Sequence, residues 1–481
     1  MKRVASLLLA VVLVCGAGSA QAVDVKIKGT FNFAFGGGSH LSLVDEKSGR
    51  NDDNSFAEQR IRTQIDFVAS EYLKGVLMFE IGDVWWGRGG AEGRGAGGAL
   101  DADGVNVETK HAYLDFLVPN TDLSVRMGLQ YLALPMGTSY YNPVFSADVA
   151  GAVASYKFND MLAATVFWAR PFDRYGNDEE DRGNNVTGTH LDDEVDMFGL
   201  VLPVTGDGWS VTPWGVFANV GNASGLYEYL EGYGFGAGPS VPQIADYEQN
   251  DSATAWWAGG AFNLSMFNPL TFGLDVMYGD LGRNEFRDTS GNSFDIETQG
   301  WFLDAKLDYK LDWATPGVFG WWSSGDKADD VRDGKYGRIP VVGVDDGFAP
   351  TSFGGPGSIY GVDTAVSETM VGTWGVGIQL ADLSFIPDLS HTLRVAYYRG
   401  TNEADVARDG RQAGLSGENI YMTDKDSAWE IDFDHTYQIY ENLSAYLELG
   451  YIRLDMDEDV WGSDSYADNA FRGQVGFQYS F

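Results

Sequence analysis

Along most of this chain, residues two apart share a character. Between 25 and 35, Val25, Ile27, Phe31, Phe33 and Phe35 fall in one register with Gly29, while Lys26, Lys28, Thr30 and Asn32 fall in the other. A period of two sends successive side chains to opposite faces of an extended backbone, so this segment predicts a strand with one apolar and one polar side. Ile61, Ile65 and Phe67 likewise oppose Arg60, Arg62, Gln64 and Asp66. Ala112, Leu114, Phe116 and Val118 oppose His111, Tyr113 and Asp115, and Leu123, Val125, Met127, Leu129 and Tyr131 oppose Asp122, Ser124, Arg126 and Gln130. Segments 270–278, 389–397 and 443–451 repeat the pattern, whereas several others are apolar on both faces.

The connections alternate too. Short ones at 119–121, 159–160, 205–208, 268–269 and 441–442 are interleaved with long, acidic, Gly-rich ones at 36–54, 173–193, 220–252, 325–365 and 401–426. Tight turns at one end and long loops at the other predict an all-β, antiparallel up-and-down barrel of the transmembrane kind, with about 18 strands, or about 16 if 294–325 is divided differently. In hydrocarbon every backbone N–H and C=O needs an internal partner, so a strand protein must close on itself. At that strand number the interior is too wide for wall side chains to fill, and water enters. The last segment is the clearest: Phe471, Gly473, Val475, Phe477, Tyr479 and the terminal Phe481 share one face, opposite Arg472, Gln474, Gln478 and Ser480.

Composition changes this picture in three places. Lys2 and Arg3, the apolar run 4–17 and Ala20-Gln21-Ala22 predict a secretory signal peptide over 1–22, cut after Ala22, and a single barrel domain over 23–481. The apolar run is short for a spanning helix. A lipoprotein cut before Cys15 competes less well, because Val14 is bulky where such signals carry a small residue. Cys15 is the only cysteine, so the mature chain has no disulfide and no thiolate metal site. A formal charge of -37 argues against nucleic acid as a partner, since a polyanion would be repelled. With 62 glycines and 14% aromatic residues, the chain is unlike a disordered acidic one. The histidines His40, His111, His190, His391 and His435 are scattered, and neither a Gly-x-Ser-x-Gly turn nor a phosphate loop is present. The chain is therefore read as a non-enzyme.

Leader, alternating strands and aromatic terminus together resemble the general, homotrimeric porins of Gram-negative outer membranes. The resemblance implies passive diffusion of small hydrophilic solutes and ions through a water-filled pore, with no cofactor. It implies a homotrimer in contact with outer-membrane lipid and lipopolysaccharide. It also implies a closing strand whose Phe477, Tyr479 and Phe481 are read by the outer-membrane assembly machinery. In that family the third external loop folds inward as a constriction. The matching stretch is 132–148, with Pro135, Met136, Gly137 and a single carboxylate, Asp148. Facing it, the family places bases, and Lys28, Arg60, Arg62, Lys74 and Arg126 occupy polar-register positions on the early strands. Two readings of those bases stand: a ladder that sets ion selectivity, or structural pairing with Asp66, Glu80 and Asp115.

Acidic runs at 178–181, 192–194, 326–333 and 455–459 fall in loops. They read as solvated loop charge or as Ca2+ or Mg2+ sites, the metal candidates being Asp326, Asp329, Asp330 and Asp333. Each tryptophan pair, Trp85-Trp86, Trp256-Trp257 and Trp321-Trp322, should place one ring in an interfacial girdle and its neighbour towards the lumen or a loop. Two further classes compete with the general porin. One is a substrate-specific channel with a saturable lumen site for a sugar or small anion. The other is a structural or adhesive surface barrel.

Overall fold

A computed structural model describes residues 23–41, 43, 54–88, 98–100, 107–173, 194–221, 226, 247–249, 252–288, 293–344, 347–348, 350–353, 366–367, 369–408, 420–461 and 469–481. The signal peptide read at 1–22 and the acidic runs at 178–181 and 192–193 lie outside them.

Eighteen long strands form one closed antiparallel sheet. In chain order they are β1 (Asp24–Ser39), β2 (Asn54–Ser70), β3 (Leu73–Trp85), β4 (Val107–Leu117), β5 (Leu123–Ala133), β6 (Phe145–Lys157) and β7 (Ala163–Asp173). Next come β8 (Glu194–Val201, resuming at Val204–Gly206), β9 (Trp209–Val220), β10 (Ala253–Leu264), β11 (Leu270–Asp288), β12 (Ser293–Tyr309) and β13 (Thr315–Ser323). The last are β14 (Thr373–Ile386), β15 (Leu389–Gly400), β16 (Ser427–Tyr440), β17 (Leu443–Asp455) and β18 (Asn469–Ser480). Segment 294–325 thus divides into β12 and β13, which settles the count at the larger alternative. The break in β8 falls at Leu202-Pro203, where proline has no N–H to give the ladder.

The ring is closed by β1 and β18, which pair from Thr30↔Ser480 to Ser39↔Phe471. Phe481 and Gly29 exchange both backbone hydrogen bonds at 3.0 Å, and the rings of Phe31, Tyr479 and Phe481 lie within 6.2 Å of one another. The short turns read at 119–121, 159–160, 205–208, 268–269 and 441–442 sit at one end of the barrel. Asn120 and Asp388 take the left-handed backbone there (φ 60° and 64°), which their short polar side chains tolerate. The long loops sit at the other end, and among the described residues they carry the short helices α1 (Ala328–Arg332), α2 (Ala404–Arg408) and α3 (Glu458–Trp461). Among the described residues, no helix is long and apolar enough to cross a membrane.

The outer surface carries Val25, Ile27, Val166, Phe198, Ile378, Ile431 and Val475, all between 43% and 59% exposed. A water-soluble sheet would hide these residues; a lipid-facing one must show them. Ile378→Arg, midway along β14, should therefore destabilise the barrel by about 2–4 kcal/mol, the cost of a cation at the bilayer midplane. Urea unfolding from lipid vesicles reads this, and an unchanged midpoint would argue against lipid contact at that face.

Candidate functional site, an off-centre corridor

Among the described residues, two long-end loops turn inward and bond to wall strands that they do not join. The first, 134–144, joins β5 to β6 and reaches β11 and β12, about a third of the way round the ring. Its tip is held by carboxylates. Gly137 N–H donates to Asp275 Oδ1 at 2.7 Å and Thr138 N–H to Asp275 Oδ2 at 3.0 Å. The Thr138 hydroxyl lies 3.1 Å from Asp275 and 2.7 Å from Asp304. Asn263 donates to the Gly137 carbonyl at 3.2 Å, and Lys306 Nζ to Ser139 Oγ at 2.9 Å. Glycine is required on both sides of the seat. A Cβ on Gly137 would lie 2.2 Å from the Phe262 carbonyl oxygen, and one on Gly273 would lie 2.5 Å from that of Gly137.

The second loop, 324–372, joins β13 to β14. Lys335–Tyr336 pairs with Glu297–Thr298 of β12, and Gly343–Val344 pairs with Phe145–Ser146 at the start of β6. Val342 N–H donates to Val144 O at 2.9 Å, and the rings of Tyr140 and Phe348 meet edge to face at 5.1 Å, so the two loops are one packed body. This loop then runs to β16. There Thr351 Oγ1 and Phe353 N–H donate to Glu430 at 2.7 and 2.5 Å, and Ser352 N–H donates to Asp432 at 3.1 Å.

These loops dry out half of the lumen. The inward positions of β7 to β13 include Phe167, Met197, Trp214, Val216, Trp257, Met277, Phe302, Phe319 and Trp321, all at most 5% exposed, packed with Leu134, Ile339, Val341, Val342 and Phe348 of the loops. The tryptophan pairs follow suit. Trp256 and Trp322 face outward, while Trp257 donates to the Pro340 carbonyl and Trp321 to Thr373 Oγ1, both at 2.9 Å. Trp86 is outward and meets Phe35 edge to face. The segments apolar on both faces thus present one face to the outside of the barrel and the other to an inserted loop.

Polar inward positions are left on β15 to β18 and β1 to β5, and they define a corridor along that side. The five bases of the ladder all lie here, each beside a carboxylate. Lys28 is 3.7 Å from Asp66; Arg60 and Arg62 are 3.8 and 2.5 Å from Glu80; Lys74 and Arg126 are 3.8 and 2.8 Å from Asp115. Arg126 also lies over the Tyr113 ring at 4.7 Å. Two of the three carboxylates are shared by two bases.

Other site expectations are changed. Pro135, Met136 and Gly137 lie in the inserted loop, but Asp148 does not: it is inside β6, 2.5 Å from Lys110 and 2.9 Å from His111. The strand begins at Phe145 because Asn142 Oδ1 accepts the Val144 and Phe145 N–H groups and ends the loop there. The acids facing the first loop are on the wall, as Asp275 and Asp304, and they grip the loop. The metal candidates do not converge. Asp326 is 1% exposed and is occupied by Arg338 at 3.0 Å, Tyr421 OH at 3.0 Å and Gly337 N–H at 2.8 Å, whereas Asp329 pairs outward with Arg332 at 2.7 Å. Among the described residues, no group of three or more His, Cys, Asp or Glu is placed to hold a metal ion. Burial and the neighbouring Asp326 hold the Tyr421 hydroxyl well above the ordinary tyrosine range, so it serves as a donor to that carboxylate.

Sequence reasoning missed Asp275, Asp304, Glu430, Asp432 and Arg472. One signal was visible: Glu430, Asp432 and Asp434 alternate along β16 in the inward register, a spacing that stacks three acids on one face.

No protein-family model matches the chain, and no curated protein matches it. Solved structures do. Acinetobacter baumannii OccAB2 is 9% identical with a TM-score of 0.52, over 96% of this chain and 99% of that one. Pseudomonas aeruginosa OpdQ is 12% identical with a TM-score of 0.50, over 96% and 99%. Pseudomonas aeruginosa OpdK, solved with vanillate, is 11% identical with a TM-score of 0.50, over 95% and 98%. At such identities the likeness is one of fold, and it lies with the Occ and Opd porins where the sequence resembled the general trimeric ones. The chain has the closed eighteen-stranded barrel fold of Gram-negative outer-membrane porins.

Proposed function

We propose that this chain is an outer-membrane channel through which small hydrophilic solutes diffuse passively, and that it is selective rather than general. The observation that carries the reading is the asymmetry of the lumen. A polar corridor on one side runs beside a dry half filled by two inserted loops. A general pore needs width, whereas this arrangement brings every passing solute against a charged wall in a narrow, low-dielectric space, where fixed charge has most effect. No chemical step is involved. At Arg126, which shares Asp115 with Lys74, Nε has no hydrogen-bond partner among the described residues, which favours small anions, carboxylates among them. Vanillate, the ligand of the OpdK structure, is one such carboxylate and a suitable probe.

In this reading 1–22 is removed on export. Phe477, Tyr479 and Phe481 guide assembly, and the outer face meets lipid and lipopolysaccharide. Planar-bilayer recording of the purified mature chain tests the proposal. Discrete ohmic steps blocked saturably by a small carboxylate support a selective channel, with steps grouped in threes marking a homotrimer. Unblocked steps would return the reading to a general pore. Absence of conductance would overturn the channel in favour of a surface-binding barrel. Replacing Arg60 and Arg62 by Gln should move the reversal potential in a salt gradient towards cation preference. An unmoved potential would assign those bases a purely structural pairing.

A further inference from the structure

Two imidazoles meet on the outer face of the wall, where the alternation calls for apolar side chains. Odd-numbered residues of β15 and β16 point outward: Leu393, Ile431, Phe433 and Tyr437 are 37–48% exposed, whereas Ala396, Tyr398, Glu430 and Asp432 of the even register are buried inside. His391 and His435, 44 residues apart in the chain, both fall in the odd register and are direct partners across the ladder. Their row continues as Leu383 of β14 on one side and Leu447 of β17 on the other. On a wall that faces lipid, polar rings are costly to keep, and where they persist they mark function.

The two rings are aimed at each other. Nδ1 of His391 lies 2.5 Å from Nδ1 of His435, with ring centroids 4.8 Å apart and planes at 84°. One Nδ1 donates and the other accepts, so a single proton lies between two nitrogens. The Phe433 ring stands edge-on to His435 at 4.2 Å and limits its movement along the strand. Asp434, the carboxylate next in sequence, is on the inward face and is taken by Arg394 at 2.6 Å. Both imidazoles are half-buried, which leaves the side of the pair away from the wall open.

We propose that His391 and His435 form a two-imidazole site for a late first-row divalent ion, Cu2+ or Zn2+, on the outer wall towards the short-turn end. Imidazole suits these ions, whereas Ca2+ and Mg2+ need oxygen ligands that the pair does not supply. Two nitrogens each about 2.0–2.1 Å from a tetrahedral ion are about 3.3 Å apart, so the Nδ1 atoms need to open by roughly 0.8 Å. Turning of the two side chains towards their open side supplies that. The donating ring moves its proton from Nδ1 to Nε2, one lone pair from each strand then points at the ion, and no net proton is released. The remaining positions stay open to water, so the ion exchanges freely, unlike one in a closed four-ligand site. This inference does not rest on the channel reading, since a barrel that conducted nothing would still carry the pair.

Titration of the folded full-length barrel in detergent with Cu2+, read by electron paramagnetic resonance, tests this. The tightest Cu2+ taken up by the parent should show coupling to two imidazole nitrogens. His391→Gln and His435→Gln should each bind it about a hundredfold more weakly, because a two-point contact becomes a one-point contact, and the coupling should fall to one nitrogen. His111→Gln, on β4, should leave the tight uptake unchanged. Parental affinity in either wall variant, or a two-nitrogen signal surviving when both are replaced, would overturn the site. Loss of tight uptake in His111→Gln would place the ion in the corridor and overturn it equally. Should a wall variant fail to fold, the parent decides alone: coupling to one nitrogen or none removes the site.

Discussion

Phe302→Ala is expected to cost the barrel about 3–5 kcal/mol, the range for deleting a fully buried phenylalanine ring, and to widen the conducting path at the same time. Phe302 is 0% exposed on the inward face of β12, and its ring meets Phe348 of the second inserted loop at 5.0 Å, edge to face. Phe348 in turn touches Tyr140 of the first loop at 5.1 Å and Trp321 of β13 at 6.0 Å. Removing the Phe302 ring therefore opens a cavity where both loops meet the wall. Lipid cannot reach it, and water entering it finds few polar partners. Urea unfolding should show a lower midpoint with an unchanged slope, the sign of lost stability rather than altered compactness. Bilayer recording should show a larger and noisier open current. Phe31→Ala supplies the contrast, because lipid chains refill the space on the outer face and the change should stay well below that of Phe302. If Phe302→Ala melted like the parent, the dry half would not be a packed core.

A barrel of this width could in principle be stable empty, since its backbone bonds are closed by the ring alone. What the inserted loops add is a core of the ordinary soluble kind on one side of the lumen, and that core decides where water goes. The wall residues divide accordingly. Trp214, Val216 and Ala218 of β9 point at loop and are apolar; Arg60, Arg62 and Gln64 of β2 point at the corridor and are polar. On the channel reading proposed above, selectivity and stability are lodged in different halves of the same ring. Changes on β1 to β5 should alter permeation with little loss of stability, whereas changes on β7 to β13 should do the reverse.

The same division decides which parts of the fold are legible in the sequence. Strands between oil and water announce themselves by period two, so β1, β5 and β18 can be read residue by residue, and so can the alternation of turns and loops that orders the ring. Segments between oil and inserted loop lose the alternation, which is why 294–325 admits two divisions. Nothing local in Gly137 or Thr138 says that their partners are Asp275 and Asp304, more than a hundred residues away. Resemblance places the constriction loop but misplaces its one carboxylate, for a physical reason: the boundary is set by Asn142 capping the Val144 and Phe145 amides, a contact that pattern does not reveal. The basic ladder is visible because charge in an alternating strand has only one face to occupy. Arg472 stands in the correct register too, but that its Nη atoms find no hydrogen-bond partner among the described residues is a property of three strands and a loop together.

Cutting the first loop loose should have the largest effect on permeation. In Asp275→Ala, the Gly137 and Thr138 amides lose the carboxylate that accepts both of them, and the Thr138 hydroxyl keeps only Asp304. Hydrogen bonds to a charged acceptor contribute about 1.5–3 kcal/mol each, so the tip should leave its seat at least about tenfold more often, which amide hydrogen exchange at Gly137 and Thr138 can follow. Open-channel current should rise as the tip withdraws from the lumen. Asp275→Asn retains one acceptor oxygen and should lie between Ala and the parent. Gly273→Val reaches the same end by another route, since its side chain would occupy the space of the Gly137 carbonyl, whose oxygen lies 2.5 Å from a Cβ at that position. Agreement between a variant that removes an attraction and one that adds a clash would locate the effect in the seat itself. Exchange at parental rates in both would mean that the contacts with Tyr140, Phe348 and Val144 hold the loop without the carboxylate.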